Sequence, residues 1–121
     1  MKALRVLVVE DDVLIGTLFA DALAAMGYDV CAIEATETDA VAAAVRYKPD
    51  LMIVDARLRE GSGVSAVEEI LRTGWIPHVF VSGETSRIHA LRPGAIVIQK
   101  PFRDVDLNRA IQRALDAPAR S

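Results

Sequence analysis

The sequence predicts an α/β protein: a doubly wound, five-stranded parallel sheet in the order 2-1-3-4-5, with helices on both faces. Two observations support this fold class. Short apolar runs, typical of strands buried on both faces, alternate along the chain with segments of helical periodicity. Right-handed crossovers then leave few topologies, and 2-1-3-4-5 is the natural one for five such units. We expect one domain covering residues 1–121.

The first half of the chain contains three predicted strands, over residues 5–9, 29–33 and 51–55. After the first strand, Asp12 is a suitable N-cap for a helix that Gly27 ends. The apolar residues at helical spacing, which we expect on the buried face of this helix, are Ile15, Leu18, Ala22 and Met26.

The remaining elements follow the same alternation. They are a helix capped at Thr36 that ends near residue 47, a helix over 64–72, a strand over 79–82, a weakly patterned stretch over 84–91, a strand over 95–99 and a last helix capped by Asp104. His78 and His89 have no partner pattern, and we expect them at the surface or at a strand edge.

Composition narrows the class of protein. The chain has 121 residues and a formal net charge of −3, whereas general nucleic-acid binding needs a basic surface. No apolar run approaches the ~18 residues of a membrane span, and no secretory signal is visible. The lone Cys31 permits no internal disulfide. We therefore expect a cytoplasmic protein that binds neither nucleic acid nor membranes.

Acidic side chains follow two strands that the predicted topology makes neighbours. Glu10 and Asp11 come after the first strand, and Asp55 ends the third. Ligands bind at the carboxyl ends of strands in open α/β sheets, so these three carboxylates should converge there. Each pair roughly 5 Å apart repels by about 3 kcal/mol at an effective dielectric near 20. Either one carboxylate takes up a proton or a divalent cation binds, and Mg²⁺ suits such oxygen ligands.

A hydroxyl and an ammonium group come to the same edge of the sheet. Ser82 ends the fourth strand and Lys100 follows the fifth. Beside a metal ion, these two groups form an electrostatic cradle for a phosphoryl group. Asp55 is a suitable nucleophile to accept that group as an acyl phosphate.

This arrangement resembles the receiver domain of two-component response regulators, which has a flavodoxin-like fold. The resemblance covers essentially the whole chain. It rests on four motifs at strand ends: Val9-Glu10-Asp11, Val54-Asp55 followed by Leu58, Val81-Ser82-Gly83 and Lys100-Pro101-Phe102.

The resemblance implies a role for each matching residue. Asp55 would be the phosphoacceptor. Asp11 would ligate Mg²⁺ directly, Glu10 through water, and Arg57 through its backbone carbonyl. Ser82 and Lys100 would contact the phosphoryl oxygens, and the peptide bond before Pro101 is typically cis in this family.

Three positions depart from the usual receiver pattern. Val97 stands where an aromatic side chain commonly reports phosphorylation, and Arg59 stands where proline is common. The short spacing between Ser82 and Lys100 predicts a short or irregular fourth helix.

The chain is similar in more detail to the "FAT GUY" subgroup of single-domain receivers. The matching motifs are Leu58-Arg59-x-x-Ser62-Gly63, Ile76-Pro77-x-Val79-Phe80-x-Ser82-Gly83 and Gln99-Lys100-Pro101-Phe102. That subgroup has Thr-Gly at Ser82-Gly83 and usually an aromatic residue at Glu84.

The resemblance implies a signalling switch, not an enzyme, that takes a phosphoryl group from a histidine kinase or histidine phosphotransferase. It would act by protein contact or as a phosphate sink, as a monomer or weak dimer. With Val97 in the switch position, we expect the change in backbone order around Gly83 to Leu91. Arg57 and Glu84 are expected to pair across the site and slow hydrolysis. Leu14, on the first helix, is the candidate kinase contact.

Other functions remain open at this point. The chain could be a receiver excised from a hybrid histidine kinase, or a protein-binding pseudo-receiver that is not phosphorylated. A haloacid dehalogenase-like phosphatase needs a second Asp two residues after the nucleophile, where this chain has Arg57. A flavin-binding flavodoxin needs a Ser/Thr/Gly phosphate loop, where this chain has Glu10, Asp11 and Asp12.

Overall fold

The order of the strands agrees with the prediction. A computed structural model describes residues 2–119 and contains one sheet in the order β2-β1-β3-β4-β5, with every adjacent pair parallel. The strands are β1 (Arg5–Val9), β2 (Asp29–Glu34), β3 (Leu51–Asp55), β4 (His78–Ser82) and β5 (Val97–Gln99). The helices are α1 (Val13–Ala25), α2 (Glu37–Tyr47), α3 (Gly63–Leu71), α4 (Thr85–Leu91) and α5 (Asp104–Asp116).

Two apolar layers cover the sheet, because successive strand side chains point to opposite faces. Met52 and Val54 of β3 pack with α2, α3 and α4 on one face. Leu51 and Ile53 of the same strand pack with α1 and α5 on the other. All five residues of β3 are buried, which explains its nearly continuous apolar sequence. The central strand therefore carries Asp55 to the carboxyl edge of the sheet on a rigid support.

The N-terminal caps of the first two helices form as predicted. The Asp12 carboxylate accepts hydrogen bonds from the backbone N–H groups of Leu14 (2.9 Å) and Ile15 (3.1 Å). Thr36 caps α2 by accepting from the Asp39 N–H. The predicted cap of the last helix was wrong by one residue. Arg103 is its N-cap, and the Asp106 carboxylate accepts the Arg103 N–H at 3.0 Å.

The predicted buried face of α1 was wrong at Leu18, whereas Ile15, Ala22 and Met26 are half-buried and pack against the core. Gly16, Phe19 and Leu23 are its buried residues, and Leu18 is 59% exposed. Gly16 lets this face approach β2 closely, since an added Cβ there would lie 3.1 Å from a methyl carbon of Ile33. The helix is therefore rotated from the predicted orientation, and Leu14 and Leu18 share an exposed side of α1.

The segment after β4 is short, as predicted. Helix α4 has only seven residues, and no side chain caps its first turn. Strand β5 has three residues, fewer than the predicted 95–99, because a turn with an Ala95 N–H to Arg92 carbonyl hydrogen bond precedes it. Within residues 2–119, we find no helix with the length and apolar composition needed to cross a membrane.

His78 is buried in β4, which lies between β3 and β5, so its predicted place at the surface or at a strand edge was wrong. His89 is exposed as predicted. Nδ1 of His78 lies 2.8 Å from the Ile76 carbonyl oxygen, and because a carbonyl only accepts, Nδ1 carries the proton. The ring packs against Trp75 and Phe80. Burial, assisted by the Arg92 charge, lowers the pKa of His78 despite this hydrogen bond.

This burial makes stability depend on pH. Because the pKa of His78 is lower in the folded state than its ordinary value of 6.5, the unfolded chain binds more protons and stability falls as pH drops below that value. In urea unfolding at about pH 7.5 and about pH 5.5, His78→Phe should lose less stability than wild type. His89→Gln is the control and should lose as much as wild type. An equal loss in His78→Phe would contradict this assignment.

Candidate functional site

The carboxyl ends of three strands bring an ammonium group against two buried carboxylates. Lys100, after β5, places its Nζ 2.8 Å from Oδ2 of Asp55 at the end of β3. The same Nζ lies 3.7 Å from Oε1 of Glu10, which follows β1. Both carboxylates are buried, whereas the Lys100 side chain is 32% exposed. The predicted convergence of these strand ends is therefore present.

The three predicted acidic residues form one cluster. Glu10, Asp11 and Asp55 each offer a carboxylate oxygen, and these oxygens lie within 4.8 Å of one another. At that spacing, each charged pair repels by about 3 kcal/mol at an effective dielectric near 20. Burial, together with the charge of Asp55, raises the pKa of Glu10 to about 7, against the opposing effects of the Asp12 N–H and Lys100.

The residues present fit a divalent cation. Oε2 of Glu10 accepts the Asp12 N–H at 3.1 Å, but its buried Oε1 has no hydrogen-bond partner within residues 2–119. Partial burial alone would lower the pKa of Lys100, but its contacts with Asp55 and Glu10 and the charge of Asp11 raise it. One ammonium group offsets one of three carboxylates. The carboxylates of this cluster would hold a Mg²⁺ ion, and its charge would offset the negative charge that remains.

The loop between β3 and α3 is hydrogen-bonded to this cluster. The Arg57 N–H donates to Oδ1 of Asp55 at 3.0 Å, and the Arg59 N–H donates to Oδ2 of Asp11 at 2.7 Å. Arg57 also forms an antiparallel bridge with Ser62 within the loop. The backbone of Arg57 is thus held directly beside the phosphoacceptor candidate.

Two residues that hold this loop were not predicted as site residues. Glu37, at the start of α2, accepts the Ser62 N–H at 2.9 Å and the Ser65 hydroxyl at 2.8 Å. A Cβ at Gly63 would lie 1.9 Å from the Asp55 carbonyl oxygen, so this position requires glycine. The Ser62-Gly63 pair was visible in the sequence, but nothing there connected it to Glu37, which is 25 residues away.

A cavity of about 350 Å³ opens beside Asp55. It is lined by the predicted site residues Arg57, Ser82, Gly83, Glu84 and Lys100, and also by Arg87, which the sequence did not single out. Ser82 Oγ accepts the Glu84 N–H at 2.9 Å, which fixes the hydroxyl at the end of β4. Arg57 and Glu84 form no ion pair with each other in the described part of the chain. Their predicted pairing is therefore not present.

The other predicted positions lie around the site. The peptide bond before Pro101 is cis, as expected. Val97 is half-buried at the start of β5. Leu14 is 69% exposed on α1. Near it, α1 and the segment after Lys100 border an apolar groove of about 810 Å³, where the rings of Phe19 and Phe102 stack at 5.3 Å.

Comparison with known proteins finds one family. The response regulator receiver domain model matches residues 6–112. The chain is 32% identical over 117 residues to the phyllosphere-induced regulator PhyR of Methylorubrum extorquens, covering 93% of this chain and 44% of that protein. It is 33% identical over 115 residues to the transcriptional regulatory protein PdtaR of Mycobacterium tuberculosis, covering 92% of this chain and 56% of that one.

A solved structure has the same fold. The solution structure of the REC domain of the response regulator PhyR from Erythrobacter litoralis superimposes with a TM-score of 0.89 at 31% identity, covering 100% of this chain and 98% of that one. The chain spans about half the length of the two curated relatives. The similarity therefore concerns one domain of those proteins.

Proposed function

The chain belongs to the response regulator receiver domain family, and on that premise we propose that it is a phosphorylation-dependent switch with Asp55 as its phosphoacceptor. The observation that carries the proposal is the contact between Lys100 Nζ and Asp55 Oδ2 at 2.8 Å, beside three carboxylate oxygens within 4.8 Å of one another. A nucleophilic carboxylate, a fixed cation and a metal-binding cluster are the groups that phosphoryl transfer needs.

The donor is a phosphohistidine. An oxygen of Asp55 attacks the phosphorus in line, a P–O bond forms as the P–N bond breaks, and the imidazole leaves with the nitrogen electron pair. Asp11, Asp55 and the Arg57 carbonyl would hold Mg²⁺ at the acidic cluster, with Glu10 acting through water. When bound, the ion neutralises the phosphoryl oxygens.

Lys100 and Ser82 act on the product. Once Asp55 carries the phosphoryl group, its charge and acceptor oxygens attract the Lys100 ammonium and the Ser82 hydroxyl, which both line the cavity.

Arg57 and Glu84 line the same cavity, and we propose that they modulate attack by water. The lifetime of the acyl phosphate in Glu84→Ala compared with wild type tests this role, and an unchanged lifetime contradicts it.

Ser82 connects phosphorylation to the segment that follows β4. Its Oγ holds the Glu84 N–H, so a hydroxyl drawn to the phosphoryl group shifts the start of α4. That helix is short and lacks a side-chain cap. Val97 stands where an aromatic ring would rotate on phosphorylation, and its side chain has no ring that could do so. The response therefore falls on the backbone of Gly83 and α4.

The kinase, or a histidine phosphotransferase, docks on α1 and the segment after Lys100. Leu14 and Leu18 present apolar surface there, next to the groove that Phe102 lines. This chain matches only about half of each curated relative, so the similarity does not identify a downstream partner. A pseudo-receiver that binds proteins without being phosphorylated is the alternative.

Phosphorylation by a small donor tests the proposal. Incubated with acetyl phosphate and Mg²⁺, wild type should gain the mass of one phosphoryl group by intact mass spectrometry, and Asp55→Asn should gain none. Leu14→Ser is the matched control: acetyl phosphate should label it like wild type, whereas a phosphorylated histidine kinase should label it more slowly. Label on Asp55→Asn, or none on wild type, would exclude the proposed phosphoacceptor.

The switch segment has its own test. In NMR relaxation measurements, Mg²⁺ with beryllofluoride should order the backbone amides of residues 83–91 in wild type. The Ser82 O–H would then donate to the adduct while Oγ still accepts the Glu84 N–H, which fixes the start of this segment. Asp55→Asn, which offers no such adduct site, should show no change. Equal mobility of these amides with and without the phosphoryl mimic would sink the idea.

A further inference from the structure

Arg59 contacts one metal-ligand candidate with both its backbone and its side chain. Its N–H donates to Oδ2 of Asp11 at 2.7 Å, and its Nε lies 3.8 Å from the same oxygen. Glu37 and the Arg57–Ser62 bridge also hold this loop. The two contacts of Arg59 place a backbone N–H dipole and a guanidinium charge beside a carboxylate of the proposed Mg²⁺ site.

The effect of Arg59 can be derived from the charges around the cluster. The Lys100 ammonium forms an ion pair with Asp55 and lies near Glu10, whereas the Arg59 guanidinium forms an ion pair with Asp11. The Arg59 N–H occupies a lone pair of Asp11 Oδ2, so a metal ion that binds this oxygen competes with the hydrogen bond. A guanidinium close to the same oxygen repels an incoming Mg²⁺. Both effects oppose metal binding.

We propose that Arg59 lowers the Mg²⁺ affinity of the site, because its backbone N–H and its guanidinium both contact Asp11 and compete with the metal ion for this carboxylate. This inference rests on the proposed function. Arg59 is a positioning residue, since it acts through Asp11. The site consequently fills at higher Mg²⁺ concentrations than its three carboxylates alone would require, so phosphorylation becomes sensitive to the free Mg²⁺ level.

The two contacts differ in how salt affects them. The Arg59 side chain is 82% exposed, so its charge is screened, with a Debye length of about 10 Å at 0.1 M salt and about 3 Å at 1 M. The backbone hydrogen bond is short and does not depend on side-chain charge. Arg59→Ala removes only the guanidinium, whereas Arg59→Pro also removes the N–H donor.

Calorimetric titration with MgCl₂ separates these contributions. Arg59→Ala should bind Mg²⁺ about two- to fivefold more tightly than wild type at low salt, as expected for an exposed ion pair, and the gain should vanish near 1 M NaCl. Arg59→Pro should bind more tightly again, and that additional gain should persist at high salt. Arg72→Ala removes an exposed arginine on the far end of α3 and should bind like wild type.

The possible outcomes separate this inference from the proposed function. Unchanged or weaker Mg²⁺ binding by Arg59→Ala and Arg59→Pro, with both variants folded by circular dichroism, would overturn the role of Arg59 alone. If Arg59→Pro does not fold, the salt dependence of Arg59→Ala decides. Equal Mg²⁺ binding by wild type and Asp55→Asn would overturn the proposed metal site, and the role of Arg59 with it.

Discussion

Charge imbalance at the carboxyl edge of the sheet determines the chemistry of this protein. Three carboxylates lie within 4.8 Å of one another, and one ammonium group, on Lys100, contacts two of them. Such a cluster is unfavourable alone, and its burial favours any cation that enters. A phosphoryl group needs the same cations. The mutual repulsion of the carboxylates and the proposed capacity of Asp55 to carry a phosphoryl group therefore have one electrostatic origin.

Strand β3 and the loop that follows it hold the residues of this cluster in place. Strand β3 is buried along its whole length, so Asp55 cannot retreat from its neighbours. The following loop approaches so closely that only glycine fits at Gly63. Glu37 then fixes that loop from α2. Rigid elements thus hold the acidic groups together, while the short helix α4, which has no side-chain cap, lies beside the cavity.

Periodicity in the sequence was sufficient to predict the sheet order and the position of Asp55, because parallel strands and right-handed crossovers constrain topology strongly. It failed where tertiary packing decides. The rotation of α1 depends on how Gly16 meets β2, and the burial of His78 depends on neighbours from other elements. The contacts of Glu37 and Arg59 join loops distant in sequence, and no local pattern encodes such pairs.

The most direct test is a crystal structure with Mg²⁺ and beryllofluoride. We expect the ion bound by Asp11, Asp55 and the Arg57 carbonyl, with Glu10 reaching it through water. The beryllofluoride should be attached to Asp55 and contacted by Ser82 and Lys100. A pocket that stays empty under these conditions, or acidic side chains that turn away from one another, would contradict the electrostatic basis of the proposed switch.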